Sequence, residues 1–298
     1  MSRREAICRY NLIINKLRKG HAAFTEISDY LQRESELQEY KFDVSVRTFQ
    51  RDIKDIRSIY GIDISYSRSL KKYGIDPDGS QEVQDRILEA FDTMNALNLS
   101  DRLSGFIHFE NRRAKGTENL YELLRAIKSR FQVSFVYQKF WENEASLRKV
   151  EPYALKEFKN RWYLLAKDLS KNGLRIFGLD RLSNLEISRN RFRATEAANV
   201  AEYFKHSFGI IIGEGSNAEE VILSFTRDQG KYIKSLPLRE SQQILVDNEL
   251  ELRISLKLHV TFDLVQEILS HGPEVRVIQP ESLVAQVKSS YENSVRRY

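Results

Sequence analysis

The sequence predicts a multidomain α+β protein, with helices in its N-terminal part and short strands in its middle. Three observations predict it: amphipathic helix patterns before residue 61, a run of aromatic-rich strands over residues 147–182, and a βαββαβ order of elements after residue 219. With 298 residues the chain is long enough for two or three cores. We divide it into segments 1–76, 77–116, 117–194, 195–218 and 219–298.

Composition narrows the class of protein. Hydrophobic residues make up 41% of the chain and charged residues 30%, and no apolar run approaches the roughly 18 residues of a membrane span. The N-terminus lacks the apolar core of a signal peptide, and the single cysteine, Cys8, excludes an internal disulfide. We therefore expect a soluble cytoplasmic protein without a membrane partner.

Positive charge is concentrated in the middle of the chain. Residues 118–194 contain 16 basic and 9 acidic residues, whereas residues 219–298 contain 10 basic and 12 acidic ones. We therefore expect an acidic partner on the middle segment rather than on the C-terminal one.

The third N-terminal helix pattern has two different faces. It begins after Ser45, which we predict as the N-cap, and ends at Gly61. Its apolar stripe consists of Val46, Phe49, Ile53, Ile56 and Tyr60, and its other face carries Arg47, Thr48, Arg51 and Lys54. A packed side opposite a basic side is what a major-groove reader requires, although ordinary solvated helices also show it.

A basic hairpin pattern follows this helix, between Ile62 and Ile75. Three helices followed by a hairpin is the order of a winged helix-turn-helix, in which the hairpin lies over phosphates. We therefore predict a DNA-binding domain over residues 1–76 that contacts a double-stranded operator. Its predicted contact residues are Ser45, Arg47, Thr48, Arg51, Lys54, Arg68, Lys71 and Lys72.

Segment 77–116 connects this domain to the strands. A turn-rich break over residues 76–80 precedes a strongly apolar helix pattern that extends to Leu99, and residues 106–109 form a strand pattern. The helix is a candidate helical linker or dimerisation element, and plain packing explains it equally well.

Segment 117–194 begins with a helix pattern, capped by Thr117, whose stripe is Leu120, Leu123, Leu124 and Ile127. In the last of the following strand patterns, a period of two places Arg175, Phe177, Leu179 and Arg181 on one face. Arginines beside an aromatic ring suit a planar anionic ligand, and a solvated strand face is the alternative.

Three groups of residues follow one another in these strands. Arg148, Val150 and Pro152 come first, Trp162-Tyr163-Leu164 with Ala166 and Asp168 second, and Arg175, Phe177, Asp180 and Arg181 third. This order resembles the WYL domain of bacterial transcriptional regulators. The resemblance implies a small Sm-like β-barrel that acts as a ligand sensor. The family often has a further Arg where Gly178 stands here. The residues that we expect to bind the ligand are Tyr137, Arg148, Tyr163, Arg175, Phe177 and Arg181, with arginines on phosphate and rings stacking.

After a linker over residues 195–218, the βαββαβ order predicts a ferredoxin-like α+β domain over residues 219–298. We expect strands at 221–225, 243–246, 250–258 and 274–278, and helices at 227–236, 262–270 and from Ser282. The segment resembles the C-terminal extension often attached to WYL domains, and the run from Ser45 to Asp52 resembles the recognition helix found ahead of them.

The sequence gives little support to catalysis. The five histidines and Cys8 are scattered without metal-ligand spacing, and Gly213-Glu214-Gly215 lacks the context of a phosphate-binding loop. We interpret Asp180-Arg181 as an ion-paired strand end, and we expect no enzyme activity, metal or cofactor.

Two functions remain open. The first is a transcriptional regulator, a homodimer on two half-sites, whose DNA binding is modulated by a nucleotide or single-stranded nucleic-acid ligand of the sensor domain. The alternative is a general RNA-binding or single-stranded nucleic-acid-binding protein without ligand sensing.

Overall fold

The computed structural model describes residues 3–38, 41–75, 89–90, 93, 115–142, 144–193, 200–213 and 217–298. The chain divides into two compact units, residues 1–110 and 111–298. Apart from Glu89, Ala90 and Thr93, the predicted helix before Leu99 and the predicted strand at 106–109 lie outside the described residues.

The described part of the N-terminal unit contains three helices followed by an antiparallel hairpin, the order that the sequence predicts. The helices are α1 (Arg3–Arg18), α2 (Phe24–Gln38) and α3 (Val46–Tyr60), and the hairpin strands are β1 (Ile64–Ser67) and β2 (Lys72–Ile75). Ser45 caps α3, because its Oγ accepts a hydrogen bond from Thr48 N at 3.2 Å. Gly61 ends the helix in the left-handed conformation, with φ 68°.

The packed side of α3 differs from the predicted stripe. Phe49 and Ile56 are fully buried, but Val46 is 48% exposed, so that part of the prediction is wrong. Val46 lies in the first turn of α3 and falls outside the hydrophobic cluster of this unit. Asp52, which the stripe left out, is fully buried instead.

The connection between α1 and α2 is joined to the hairpin. Ala22 and Tyr73 exchange two backbone hydrogen bonds, with N–O distances of 2.9 and 2.8 Å. Gly74 allows this approach, since a Cβ there would lie 2.4 Å from the His21 ring. The hairpin is therefore fixed against the helices that precede it.

In the second unit, a short 3-10 helix (Thr117–Asn119) and α4 (Leu120–Ser129) precede an antiparallel sheet. Its strands are β3 (Phe131–Tyr137), β4 (Ser146–Phe158), β5 (Arg161–Asp168), β6 (Gly173–Gly178) and β7 (Leu182–Arg191), in the order β6-β5-β4-β3-β7. The predicted cap at Thr117 is wrong, because α4 begins only at Leu120 and has no side-chain cap. Leu123 and Ala126 pack into the core, while Leu124 is exposed.

The alternation predicted from Arg175 to Arg181 is interrupted. Strand β6 ends at Gly178, and Leu179–Arg181 forms a 3-10 helix. Gly178 N donates a hydrogen bond to the Tyr137 hydroxyl at 3.1 Å. A Cβ at Gly178 would lie 2.5 Å from the Arg181 guanidinium, so Arg181 occupies the space beside this glycine.

The C-terminal part has the predicted βαββαβ order after a short helix, α5 (Val200–Phe204). It consists of β8 (Glu219–Thr226), α6 (Arg227–Ser235), β9 (Gln243–Asp247), β10 (Glu251–Leu258), α7 (Phe262–Ser270), β11 (Val275–Gln279) and α8 (Glu281–Val295). The antiparallel strand order is β11-β8-β10-β9. Apolar side chains of β8, β10, α7 and α8 form its core. Within the described ranges, none of the helices has the length and apolar character needed to cross a bilayer.

Candidate nucleic-acid interfaces

The exposed face of α3 carries the predicted DNA-contacting residues. Arg47, Arg51 and Lys54 are exposed, and Thr48 is half-buried with its Oγ1 3.0 Å from Ser45 Oγ. Arg47 and Arg51 are four residues apart and therefore project from the same side of successive turns. Two guanidinium groups at this spacing can reach neighbouring base pairs, so DNA contact by this face stays a prediction with a suitable geometry.

The hairpin adds basic groups of two kinds. Arg68 and Lys71 are exposed near the turn, where Lys71 adopts a left-handed conformation with φ 54°. Lys72 is half-buried, and its ammonium lies 3.2 Å from a carboxylate oxygen of Glu26. The pKa of Glu26 is lowered, first by the hydrogen bond from Ala23 N and then by Lys72. Lys72 is thus less available to phosphate than Arg68 and Lys71.

Helix α1 holds α3 from the inside. The Arg9 guanidinium donates to both carboxylate oxygens of Asp52, at 2.7 and 2.9 Å, and both side chains are fully buried. One turn further, the Tyr10 hydroxyl donates to Asp55 at 2.8 Å. Burial, with this hydrogen bond, raises the pKa of Tyr10 to about 12. These two contacts fix the rotation of α3 about its axis and so decide which residues it exposes.

The second unit contains a cleft of about 350 Å³ that brings together five of the six predicted ligand residues. Its lining includes Tyr137, Arg148, Arg175, Phe177 and Arg181. Its volume lies near the small end of the range for ligand pockets. The sixth residue, Tyr163, is buried outside the lining, and burial raises its pKa.

The cleft is strongly basic. Besides the three arginines, Lys139 and Lys171 line it, and Asp168 is the one acidic residue of the described lining. Asp168 is engaged: its Oδ2 accepts from Arg148 Nη1 at 3.2 Å, and its Oδ1 accepts from Ser170 N at 2.9 Å. An anion that enters the cleft therefore meets several cations and a carboxylate already satisfied by hydrogen bonds.

Arg181 links the cationic and aromatic parts of the cleft. Its guanidinium carbon lies 5.4 Å from the centre of the Tyr137 ring and 5.2 Å from that of Phe140. Its side chain also lies beside Asp180, which Arg161 binds at 2.7 Å. The Arg181 guanidinium therefore lies between two aromatic rings and a carboxylate.

The accessible rings are not the predicted ones. Tyr137 and Phe177 form edge-to-face contacts with each other and with Phe135, which leaves them 5% and 3% exposed. Burial raises the pKa of Tyr137, so its hydroxyl stays protonated at neutral pH. Trp141, which also lines the cleft, is 75% exposed and offers a free ring for stacking.

A further part of the lining comes from α5 and the segment that follows it. Tyr203 of α5 and residues 210–212, three consecutive isoleucines, line the same cleft. These residues lie in the segment that we predicted as a linker over residues 195–218, without a function. One feature of the sequence could have indicated their role: the three isoleucines form an apolar run directly after Phe208-Gly209, without the alternation of a strand.

Comparisons with known proteins define the class. The model of the WYL domain family matches residues 118–187, which contain most of the basic cleft, and that of the WCX domain family matches residues 217–293. The chain is therefore a protein with a WYL domain followed by a WCX domain.

Two solved structures are similar to the chain. One is proteasome accessory factor B/C (PafBC) of Arthrobacter aurescens, at 19% identity and a TM-score of 0.37, covering 95% of this chain and 45% of that one. The other is described as a CRISPR Cas-related protein, at 15% identity and a TM-score of 0.39, covering 61% of this chain and 52% of that one. The chain thus spans about half the length of each.

Proposed function

We propose that the protein is a DNA-binding transcriptional regulator whose WYL domain binds a nucleotide or single-stranded nucleic acid, and that this ligand changes its affinity for operator DNA. One observation carries the proposal: the matched WYL domain contributes three arginines, two lysines and an exposed tryptophan to a single cleft. Cations bind phosphate and an exposed ring stacks on a base, so the cleft suits a nucleotide in both respects.

The N-terminal unit supports the proposed DNA binding. Its helices and hairpin, with the bridge between Ala22 and Tyr73, have the order of a winged helix-turn-helix. In this assignment α3 is the recognition helix, with Arg47 and Arg51 on base edges, and Arg68 and Lys71 lie over phosphates. The buried pair of Arg9 and Asp52 then positions the recognition helix.

The two other domains also receive a fold assignment. A helix followed by strands in the order β7-β3-β4-β5-β6 supports a small Sm-like barrel. The order β11-β8-β10-β9, with α6 and α7 as connections, supports a ferredoxin-like fold for the WCX domain.

Regulation requires that the ligand bind two arrangements of the protein with different affinities. We propose a homodimer that binds an inverted repeat, with half-sites about one helical turn or a multiple of it apart. Because both half-sites must be bound at this spacing, a change in the arrangement of the two DNA-binding domains changes the affinity for DNA. In this proposal the protein binds its ligands without converting them chemically.

Selection from a random duplex library, with full-length protein, tests the proposal. We expect enrichment of one inverted-repeat sequence and a change in its affinity when a short single-stranded oligonucleotide is added. Binding without sequence enrichment, weakened by the oligonucleotide through competition, would contradict the proposal and favour a general nucleic-acid-binding protein.

A further inference from the structure

The turn at Gly209 is held from both sides by hydrogen bonds. Its carbonyl oxygen accepts from the Lys156 ammonium of β4 at 2.7 Å. The next two backbone N–H groups, of Ile210 and Ile211, donate to Asp263 Oδ2 at 2.8 and 3.0 Å. Lys156 belongs to the WYL domain and Asp263 to the first turn of α7 in the WCX domain. One short stretch of backbone therefore connects the two domains.

Close packing accompanies these hydrogen bonds. A Cβ at Gly209 would lie 2.4 Å from Asp263 Oδ2, so no other residue allows this approach without a shift. The Lys156 ammonium lies 4.0 Å from the centre of the Phe204 ring. Earlier in the same segment, Arg239 of the WCX domain donates to the carbonyl oxygens of Lys205, at 3.1 Å, and of the buried Ser207.

The residues directly after this anchored turn line the basic cleft. Residues 210–212 and Tyr203 contribute apolar surface to a lining in which the WYL domain supplies the cations. Ile211 is 38% exposed, which distinguishes it from a residue that serves only a domain core. The Asp263 carboxylate holds the backbone N–H groups of Ile210 and Ile211. It thereby fixes the exposed Ile211 side chain as an apolar surface at the edge of the basic cleft.

We propose that the WCX domain is part of the ligand site: through Asp263 it positions residues 210–212 as the apolar wall that contacts the base of a nucleotide whose phosphate is bound by the WYL arginines. This inference rests on the proposed function and names a role for the WCX domain within it. The ligand class follows, since inorganic phosphate fills only the cationic part, whereas a nucleotide uses both parts. Asp263 is a positioning residue, because it acts through the backbone of the wall.

The test compares two probes on the full-length protein by calorimetry: a 5′-phosphorylated single-stranded dinucleotide and inorganic pyrophosphate. Asp263→Ala frees two N–H groups, and we expect dinucleotide affinity to fall about tenfold while pyrophosphate affinity changes less than about twofold. Asp263→Asn keeps an oxygen acceptor and should restore most of the loss. Asp228→Ala is the matched control, since Asp228 is also the second residue of a helix preceded by Thr, and it touches Lys231 instead.

Two further measurements separate positioning from general loss of folding. Ile211→Ser leaves Asp263 in place and should weaken the dinucleotide but not pyrophosphate. Backbone hydrogen exchange of residues 207–212 should slow when the dinucleotide binds.

Unchanged dinucleotide affinity in both Asp263→Ala and Ile211→Ser would overturn the inference and leave the proposed function standing. Equal loss of both probes would also overturn it, because the effect would then not be confined to the wall. If the wild-type protein bound neither probe, the proposed sensor function itself would fail.

Discussion

The guanidinium of Arg9 on α1 forms a bidentate ion pair with the carboxylate of Asp52 on α3, and neither side chain is exposed to solvent. Arg9→Met removes one partner and leaves a buried charge, so we expect the free energy of unfolding of this unit to fall by about 3–5 kcal/mol. Native-state hydrogen exchange of the buried α3 amides measures it.

Two further variants of this pair test the explanation. Arg9→Met with Asp52→Leu removes both charges and should recover most of the stability, because an apolar pair replaces the ion pair. Arg57→Met breaks the surface pair with Asp63, in which Arg57 is 67% exposed, and should cost about 1 kcal/mol or less. A loss for Arg9→Met as small as that for Arg57→Met would show that the buried pair has no special role.

The exposed arginines of α3 lead to a prediction about specificity. Arg47→Ala and Arg51→Ala should each reduce preference for one base of the selected duplex by about 1–3 kcal/mol, because each removes a bidentate contact to a base edge. Affinity measured against a set of single-base duplex variants shows it. Arg57→Ala, in the last turn of the same helix, is the control. A loss that is uniform over all sequences would place these arginines on phosphate instead.

The cleft leads to a prediction about charge. Arg181→Gln should weaken binding of the 5′-phosphorylated dinucleotide by about 10- to 100-fold, because it removes charge-assisted hydrogen bonds to phosphate. Arg191→Gln is the control, because Arg191 carries the same charge but stacks on Phe131 and does not line the cleft. Calorimetry in low salt compares the two. Equal effects of both variants would mean that the dinucleotide responds to overall charge and not to this site.

Lys156 leads to a prediction about pH. Burial, with the nearby Arg239 charge, lowers the pKa of Lys156 from 10.5 to about 8. Between pH 8 and pH 10.5 the unfolded chain binds more protons than the folded protein. The contribution of Lys156 to the free energy of unfolding therefore increases as pH rises from 8 towards 10.5, and it is lost as pH falls through 8. The stability of the wild type relative to Lys156→Met should therefore rise over this range. Tryptophan fluorescence during urea unfolding measures this stability, since Trp141 and Trp162 both lie in the second unit together with Lys156. A difference that is constant with pH would contradict the assigned pKa.

The limits of sequence-based prediction follow from how local each feature is. Both ends of α3 were predicted correctly, because an N-cap serine and a C-terminal glycine act within one turn. The elements of the WCX domain were also predicted to within a few residues, since their apolar periods are clear. Asp52 was missed because its partner, Arg9, is 43 residues away in the chain.

The cleft was predicted only in part for the same reason. Arg175, Phe177 and Arg181 do line one site, but the strand alternation used to predict it ends at Gly178. Arg181 reaches the site through a 3-10 helix, whose geometry depends on the contact between Gly178 and Tyr137. The wall at residues 210–212 depends on Asp263, more than 50 residues further along, which no local pattern reveals.

Coupling between the cleft and the DNA-reading helices is measured by the affinity of the full-length protein for its selected duplex, with and without a saturating 5′-phosphorylated dinucleotide. We expect the wild type to change affinity by about fivefold or more, the usual range for coupled sites, and Arg181→Gln to show a smaller change at the same concentration, because it binds the dinucleotide more weakly. Unchanged duplex affinity in the wild type, with the dinucleotide demonstrably bound, would show that the cleft and the DNA-reading helices are not coupled and would contradict the proposed regulation.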